Sequence, residues 1–315
     1  MIALLGRQIL ALLITALGVV LGCYLLSHQV AGSIPASFAG FAQHLWQVLH
    51  GNFGVSSTGE SVLRNFLSVL PASLELLISA IVLAVAVGIP AGVAAARRRN
   101  DWFDRLVGAF TLVGYSVPVF WWGLLLVLWF SLTLDWTPVS GRISFLFDVE
   151  PRTGFILIDT WLARDDYAFE AFIDALHHIV LPTLVLALLP MAIITRVTRT
   201  AMTEALATDY IRMARGQGIP EWRLVWVHAL RNASQPVLAV LTLQFSTLIT
   251  GLMLIESIFT WPGVGKWLLD ALARGDYASV QAGGLLLALV LVVINFVMDL
   301  FSLWLNPLQR SGGHR

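Results

Sequence analysis

Six long runs without a charged residue constrain the fold of this chain more than any other feature. A transmembrane helix needs about 20 consecutive, mostly apolar residues, and these runs reach or approach that length. They are apolar all round, so they leave no polar face for a soluble fold. Helices are favoured because backbone polar groups in a bilayer must be satisfied within the segment. The runs are Ile9–Leu26, Leu76–Ala96, Leu106–Leu134, Ile179–Thr195, Val237–Ile255 and Val280–Met298.

The composition agrees with a membrane protein. Hydrophobic residues make up 58% of the chain and charged residues 12%, whereas soluble proteins carry about 25% charged residues. The net charge of zero gives no reason to expect nucleic-acid binding. The single cysteine, Cys23, cannot form an internal disulfide or a thiolate zinc site. No clear cleavage site follows the first run, so we predict a retained helix and an all-α integral membrane protein.

The arginine clusters predict the topology. Arg97–Arg99 precede the third run, and a second group between Arg196 and Arg231 follows the fourth. Both groups are expected in the cytoplasm by the positive-inside rule. An even number of crossings must separate them, so the long third run counts as one helix kinked at Pro118. We predict six transmembrane helices with the N- and C-termini in the cytoplasm.

The sequence contains no convincing catalytic constellation. His177 and His178 are adjacent, which is poor spacing for a metal site on a helix. The segment Gly263–Lys266 looks faintly like a phosphate loop, but Thr260 and Trp267 stand where that motif needs Gly and Ser or Thr. We therefore expect no catalytic residue, metal or cofactor in this chain.

A carboxylate at the end of the fifth run is a candidate for the path of a solute. A charge in the middle of a bilayer costs about 3 kcal/mol, so Glu256 is expected to face protein, water or a passage. An ordinary interfacial carboxylate at a helix end is an equal alternative. Phe120 and Trp261 are the other residues that we predict to line a translocation path.

The segment Glu204–Pro236 is polar and basic between two apolar runs. A helix is predicted from about Thr203 to Arg215, because Gly216, Gly218 and Pro220 then break it. A second helical stretch is expected from Glu221. On composition alone, this segment is a solvated loop that is basic only because it faces the cytoplasm.

Specific residues favour a more definite interpretation. Tyr210–Gly218 and His228–Ala233 resemble the coupling motif of bacterial ABC-importer permeases, with Arg212–Ala214 in the first triplet and Gly218 at the required spacing. His228–Arg231 resembles the dipeptide/oligopeptide branch, although Gly216 and Gln217 depart from its usual Ala-Lys. Other segments resemble the same branch: Gly51–Ser56, Gly114–Trp121, Pro138–Arg142, Gly154–Asp159, Glu256–Gly265 and Asn306–Pro307.

The resemblance implies a type I ABC-importer transmembrane domain in the bacterial inner membrane that moves di- or oligopeptides. Its partners would be a second homologous permease, two cytoplasmic ATPase subunits that hold ATP and Mg, and a periplasmic substrate-binding protein. Residues 1–70 would form the first span and a periplasmic segment, and residues 71–315 the permease core with a coupling region at 196–236. The implied ATPase contacts are Thr208, Asp209, Tyr210, Ile211, Arg212, Met213, Ala214, Arg215 and Gly218.

Other functions stay open at this point. Relatives of the implied fold also handle polyamines, haem and nickel, so the substrate is not fixed. A proton-coupled secondary transporter with Glu256 as the carrier is a second class, but the spans hold few titratable groups and no inverted repeat is evident. An intramembrane enzyme lacks a plausible catalytic pair.

Overall fold

A computed structural model describes residues 2–31 and 37–305, and this part of the chain is almost entirely helical. It contains no strand, only an isolated bridge between Val55 and Ser61. The segment Asn306–Pro307, used in the resemblance, lies outside the described residues, as does the C-terminus. The helices are α1 (Ile2–Ala31), α2 (Phe38–Leu49), α3 (Val62–Arg97), α4 (Trp102–Ser116), α5 (Val119–Leu126), α6 (Ile156–Leu162), α7 (Ala168–Leu206), α8 (Asp209–Gly216), α9 (Glu221–Arg223), α10 (Leu230–Ile258), α11 (Val264–Ala273) and α12 (Tyr277–Leu305).

Each predicted apolar run coincides with helical structure. Within the described residues, three helices, α3, α7 and α12, contain stretches long and apolar enough to cross a membrane, and up to five spans result if two bent helix pairs each count as one. The apolar part of α1, Ile9–Leu25, is shorter. The predicted class, an all-α multi-span membrane protein, is confirmed.

The third run differs in detail from the single kinked helix that charge parity predicted. It forms two helical pieces, α4 and α5 with its π-helical continuation Val127–Thr133, that bend by 103° at the break. Val117 is extended, with φ −98° and ψ 128°, in the conformation that a following proline favours. Pro118 also lacks a backbone N–H, so the helix ends before it and restarts after it.

The chain divides into two compact units, and the larger comprises Leu74–Pro151 and Ile156–Trp261. Here α7 is central and packs against α4, α5, α6 and α10. A close approach occurs at Gly92 of α3, where a Cβ would lie 2.7 Å from the carbonyl oxygen of Thr195 in α7. Small residues of this kind let membrane helices pack backbone to backbone.

The second unit comprises Met1–Ser73, Arg152–Phe155 and Pro262–Arg315. In its described part, α1 packs against α2 and α12, and α11 packs against α12. A Cβ at Gly283 would lie 2.5 Å from the Trp267 ring, so this glycine lets α11 sit directly on α12. The predicted division at residue 70 stays a prediction, because it rests on topology rather than on packing.

Candidate coupling site

The short helix α8 is a separate element that begins after an abrupt break. Thr208 is extended, with φ −69° and ψ 148°, and its hydroxyl donates to the carbonyl of Ala205 at 2.8 Å. The same carbonyl accepts from the N–H of Thr208 at 3.3 Å, so both groups of Thr208 bond to the end of α7. The predicted helix start at Thr203 was therefore wrong, because residues 203–206 belong to α7. The predicted end and the restart at Glu221 agree with α8 and α9.

One face of α8 is buried in a cluster that joins several helices. Ile211 is fully buried and Ala214 is 5% exposed. They belong to a single apolar cluster whose other members come from α3, α7, the π-helical stretch Leu224–Ala229 and α10: Val93, Ala96, Ala201, Met202, Ala205, Val225, Ala229 and Ala233. A displacement of α8 would therefore be transmitted to these elements at once, because packed interiors deform little.

The opposite face of α8 is open to solvent. Met213 is 63% exposed and Tyr210 is 50% exposed. The Asp209 and Arg212 side chains are 89% and 70% exposed and form an ion pair of 2.8 Å, one turn apart. An exposed methionine and tyrosine amid charges are typical of a surface that a partner protein covers.

Contacts to the following segment fix the orientation of α8. The hydroxyl of Tyr210 lies 2.7 Å from Nδ1 of His228, and Arg215 pairs with Glu221 at 3.0 Å. His228 lies in the π-helical stretch that continues into α10, which agrees with the helical stretch expected from Glu221.

Gly218 ends α8 through its backbone conformation. Its φ is +79°, a left-handed conformation that side chains disfavour. Its N–H donates to the carbonyl of Arg215 at 3.1 Å, and the N–H of Ile219 to that of Ala214 at 3.3 Å, the pattern of a Schellman motif. A Cβ at Gly218 would meet no atom within 4 Å. Among the described residues, the backbone conformation rather than a crowded neighbour is therefore the reason for glycine at 218.

A buried ion pair near α8 was not predicted. Asp104, at the start of α4, is 5% exposed. It accepts hydrogen bonds from Nε of Arg199 and from Nη2 of Arg199 at 2.7 Å, and from the N–H of Asn100 at 3.0 Å. The pair ties α4 to α7 about two turns before α7 ends. The only sequence signal was an acidic residue among arginines at the edge of an apolar run.

The three predicted path residues have different environments. Phe120 is 41% exposed in the first turn of α5, whereas Glu256 and Trp261 are fully buried. The N–H of Trp261 donates to the carbonyl of Glu256 at 2.8 Å, and the Arg142 guanidinium lies 5.7 Å from the Trp261 ring. Glu256 and Trp261 thus lie close together and face no open passage in this conformation. Their assignment to a path stays a prediction.

Another buried carboxylate contacts α6 and the segment before it. Glu75 of α3 is 5% exposed and accepts hydrogen bonds from Nε of Arg142 at 3.0 Å and from the N–H of Leu157 at 3.0 Å. The residues that the structure describes contain no group of three or more His, Cys, Asp or Glu side chains placed to hold a metal.

Comparison with known proteins gives consistent matches. The model of the family described as "Binding-protein-dependent transport system inner membrane component" matches residues 88–311. The di/tripeptide transport system permease protein DppB of Pseudomonas aeruginosa is 48% identical over 268 residues, covering 85% of this chain and 79% of that protein. The dipeptide transport system permease protein DppB of Escherichia coli K12 is 46% identical over 271 residues, with the same coverages.

Two further matches are more distant. A protein of Escherichia coli K12 named putrescine export system permease protein SapB is 39% identical over 265 residues, covering 84% of this chain and 83% of that protein. Among solved structures, an inward-facing form of the MetNI methionine ABC transporter matches with a TM-score of 0.56 at 15% identity, covering 75% of this chain and 93% of the matched chain. That likeness concerns the fold alone.

Proposed function

Because this chain belongs to the family of binding-protein-dependent transport system inner membrane components, we propose that it is the permease subunit of an ATP-driven importer of di- and oligopeptides. The relative named for di/tripeptide transport is 48% identical, whereas the one named for putrescine export is 39% identical. We base the proposed substrate class, di- and oligopeptides, on the relative with the higher identity. In the proposal, the permease itself catalyses no reaction, and ATP and Mg are held by partner subunits.

The observation that carries the proposed mechanism is the two-faced environment of α8. Its exposed residues, led by Tyr210 and Met213, offer a docking surface, while Ile211 and Ala214 fix it to α3, α7 and α10. Closure of a pair of docked ATPases would displace α8 and move the attached helices as a body. The predicted contact residues, from Thr208 to Gly218, are thus proposed as the ATPase contact.

The remaining parts of the complex are proposed on the same grounds. A second permease would complete the passage, and a periplasmic binding protein would deliver the peptide. The arginine clusters support cytoplasmic termini and a cytoplasmic α8. Phe120 is proposed to line the path in the present conformation, and Glu256 and Trp261 only after α10 has moved away from its neighbours.

Reconstituted transport tests the proposal. The chain and its partner subunits are placed in proteoliposomes with the binding protein, and uptake of a labelled dipeptide is measured. We expect uptake that requires ATP and the binding protein and persists when a protonophore collapses the proton gradient. Uptake driven by a proton gradient without ATP would instead support the secondary-transporter alternative. Labelled putrescine in the same vesicles tests the substrate class.

A further inference from the structure

A cavity between α4 and α7 has no role in the proposed coupling. It lies within the larger unit and has a volume of about 860 Å³. Its polar end includes Arg105 and Arg196, and its apolar end includes Leu112 and Ala192. At 1.5 Å per helical residue, Arg105 and Leu112 are about 10 Å apart along α4. The cavity is therefore charged at one end and apolar at the other.

The charged end carries guanidinium groups that this chain does not neutralise. One carboxylate and three guanidiniums line the cavity, from Asp104, Arg105, Arg196 and Arg199, which gives a net charge of +2. Asp104 is occupied by Arg199. The guanidiniums of Arg105 and Arg196 form no ion pair or hydrogen bond within the part of the chain that the structure describes. They are available to an anion.

The position of the cavity relative to a bilayer follows from its neighbours. Trp102, at the start of α4, is 65% exposed, and tryptophan is enriched at membrane–water interfaces. Arg97 ends α3 just before it, and Arg98 and Arg99 lie in the turn that follows. The charged end is therefore at the depth of the headgroups, and the apolar end points into the hydrocarbon region.

We propose that this cavity binds an anionic phospholipid, with its phosphate on Arg105 and Arg196 and an acyl chain beside Gly108 and Leu112. Basic pockets between transmembrane helices on the cytoplasmic side are suited to such headgroups. Which leaflet supplies the lipid depends on the orientation in the proposed function, whereas the binding itself does not.

A transported dipeptide fits the cavity less well. It is a zwitterion, so it needs a protein carboxylate for its ammonium group as well as a cation for its carboxylate. The carboxylate that lines this cavity, Asp104, is already bound to Arg199 and to the N–H of Asn100. An amphiphile with a negative head and an apolar tail satisfies both ends without breaking that pair.

Lipid retention tests the site directly. The full chain is purified from bacterial membranes in mild detergent with its co-purifying subunits, and retained phosphatidylglycerol is measured by native mass spectrometry. We expect Arg105→Gln with Arg196→Gln to weaken retention about thirtyfold, since each basic residue near anionic lipid contributes about fivefold and the two factors multiply. The control is Arg97→Gln with Arg231→Gln, which removes equal charge outside the cavity and is expected to leave retention unchanged.

Further measurements distinguish an anionic phospholipid from other occupants of the cavity. Re-addition of phosphatidylglycerol is expected to raise the melting temperature of the wild-type complex, whereas phosphatidylcholine and inorganic phosphate are not. Equal lipid loss in both double variants, or a rise with inorganic phosphate, would overturn the proposal. So would unchanged lipid retention with loss of the second permease from the Arg105/Arg196 variant. The orientation is measured separately, by labelling of Arg99→Cys from each side, so the two proposals fail independently.

Discussion

At Gly218, a single backbone angle sets the end of the proposed coupling helix. Its φ of +79° costs a residue with a side chain about 1 to 2 kcal/mol. We expect Gly218→Ala to lower the melting temperature of the complex and its peptide-stimulated ATP hydrolysis. Gly216→Ala is the matched control, because Gly216 is helical and a Cβ there also meets nothing within 4 Å. Equal effects of the two variants would show that conformation is not the reason for glycine at 218.

Asp276 gives the second unit a pH-dependent cap. It precedes α12 and accepts hydrogen bonds from the N–H of Ser279 at 3.2 Å and from its hydroxyl at 2.7 Å. Burial raises the pKa of Asp276, but hydrogen bonds from Ser279 and Ser57 outweigh it, and the net pKa lies below the ordinary value.

A lowered pKa means that the ionised form stabilises the fold. This stabilisation is complete above the ordinary aspartate pKa of about 3.9 and is lost as the pH falls through the lower, folded-state pKa. We expect Asp276→Asn to lower the melting temperature at pH 7, and the difference from wild type to shrink below about pH 4. A difference that is constant from pH 7 to pH 3 would contradict this account.

At the scale of elements, the pair of Asp104 and Arg199 joins α4 to α7. Removing one partner of a buried pair leaves an uncompensated charge, at a cost of about 3 to 5 kcal/mol. Asp104 is buried and Arg199 is 38% exposed. Arg199→Gln therefore leaves the Asp104 carboxylate unpaired where water cannot reach it, whereas Asp104→Asn leaves the Arg199 guanidinium in contact with water. We expect Arg199→Gln to destabilise the complex more, and adding Asp104→Asn to restore part of the loss.

The exposed pair of Asp209 and Arg212 is the matched control. Such pairs contribute about 0 to 1 kcal/mol, so Arg212→Gln should leave the melting temperature nearly unchanged. A double-mutant cycle in thermal unfolding measures both pairs. If the Asp104 and Arg199 effects simply add, the pair does not act as a unit.

Substitutions on the two faces of α8 are expected to have opposite effects on stability and transport. Ile211→Ala creates a cavity in the cluster and is expected to destabilise by about 2 to 5 kcal/mol. Met213→Glu changes an exposed residue, so the melting temperature should hold while ATP-driven dipeptide uptake falls. Co-purification of the ATPase subunits gives the direct readout for Met213→Glu. If they remain bound and uptake is unchanged, the exposed face of α8 is not the docking surface.

For the molecule as a whole, local sequence patterns predicted the helices, whereas contacts between residues far apart in the sequence could not be predicted. Uncharged runs such as Leu76–Ala96 located the membrane helices because length and apolarity act within one segment. Glycines at 216 and 218 located the end of α8 for the same reason. The partnership of Asp104 with Arg199 depends on how α4 and α7 cross, and a separation of 95 residues carries no local signal. Likewise, the sequence left open whether Glu256 faces protein, water or a passage, and its full burial depends on contacts with distant residues.

Orientation is the property of the whole molecule that most of the proposal depends on. In a Cys23→Ala background, single cysteines at Arg99 and Phe145 report on opposite sides of the membrane. Both positions are exposed, Phe145 at 96%. An impermeant maleimide should label Phe145→Cys in spheroplasts and Arg99→Cys only in inverted vesicles, because basic clusters stay in the cytoplasm. The reverse pattern would place α8 outside, away from any ATPase. Labelling of both positions from one side would mean that α4 and α5, with their 103° bend, do not cross the membrane together.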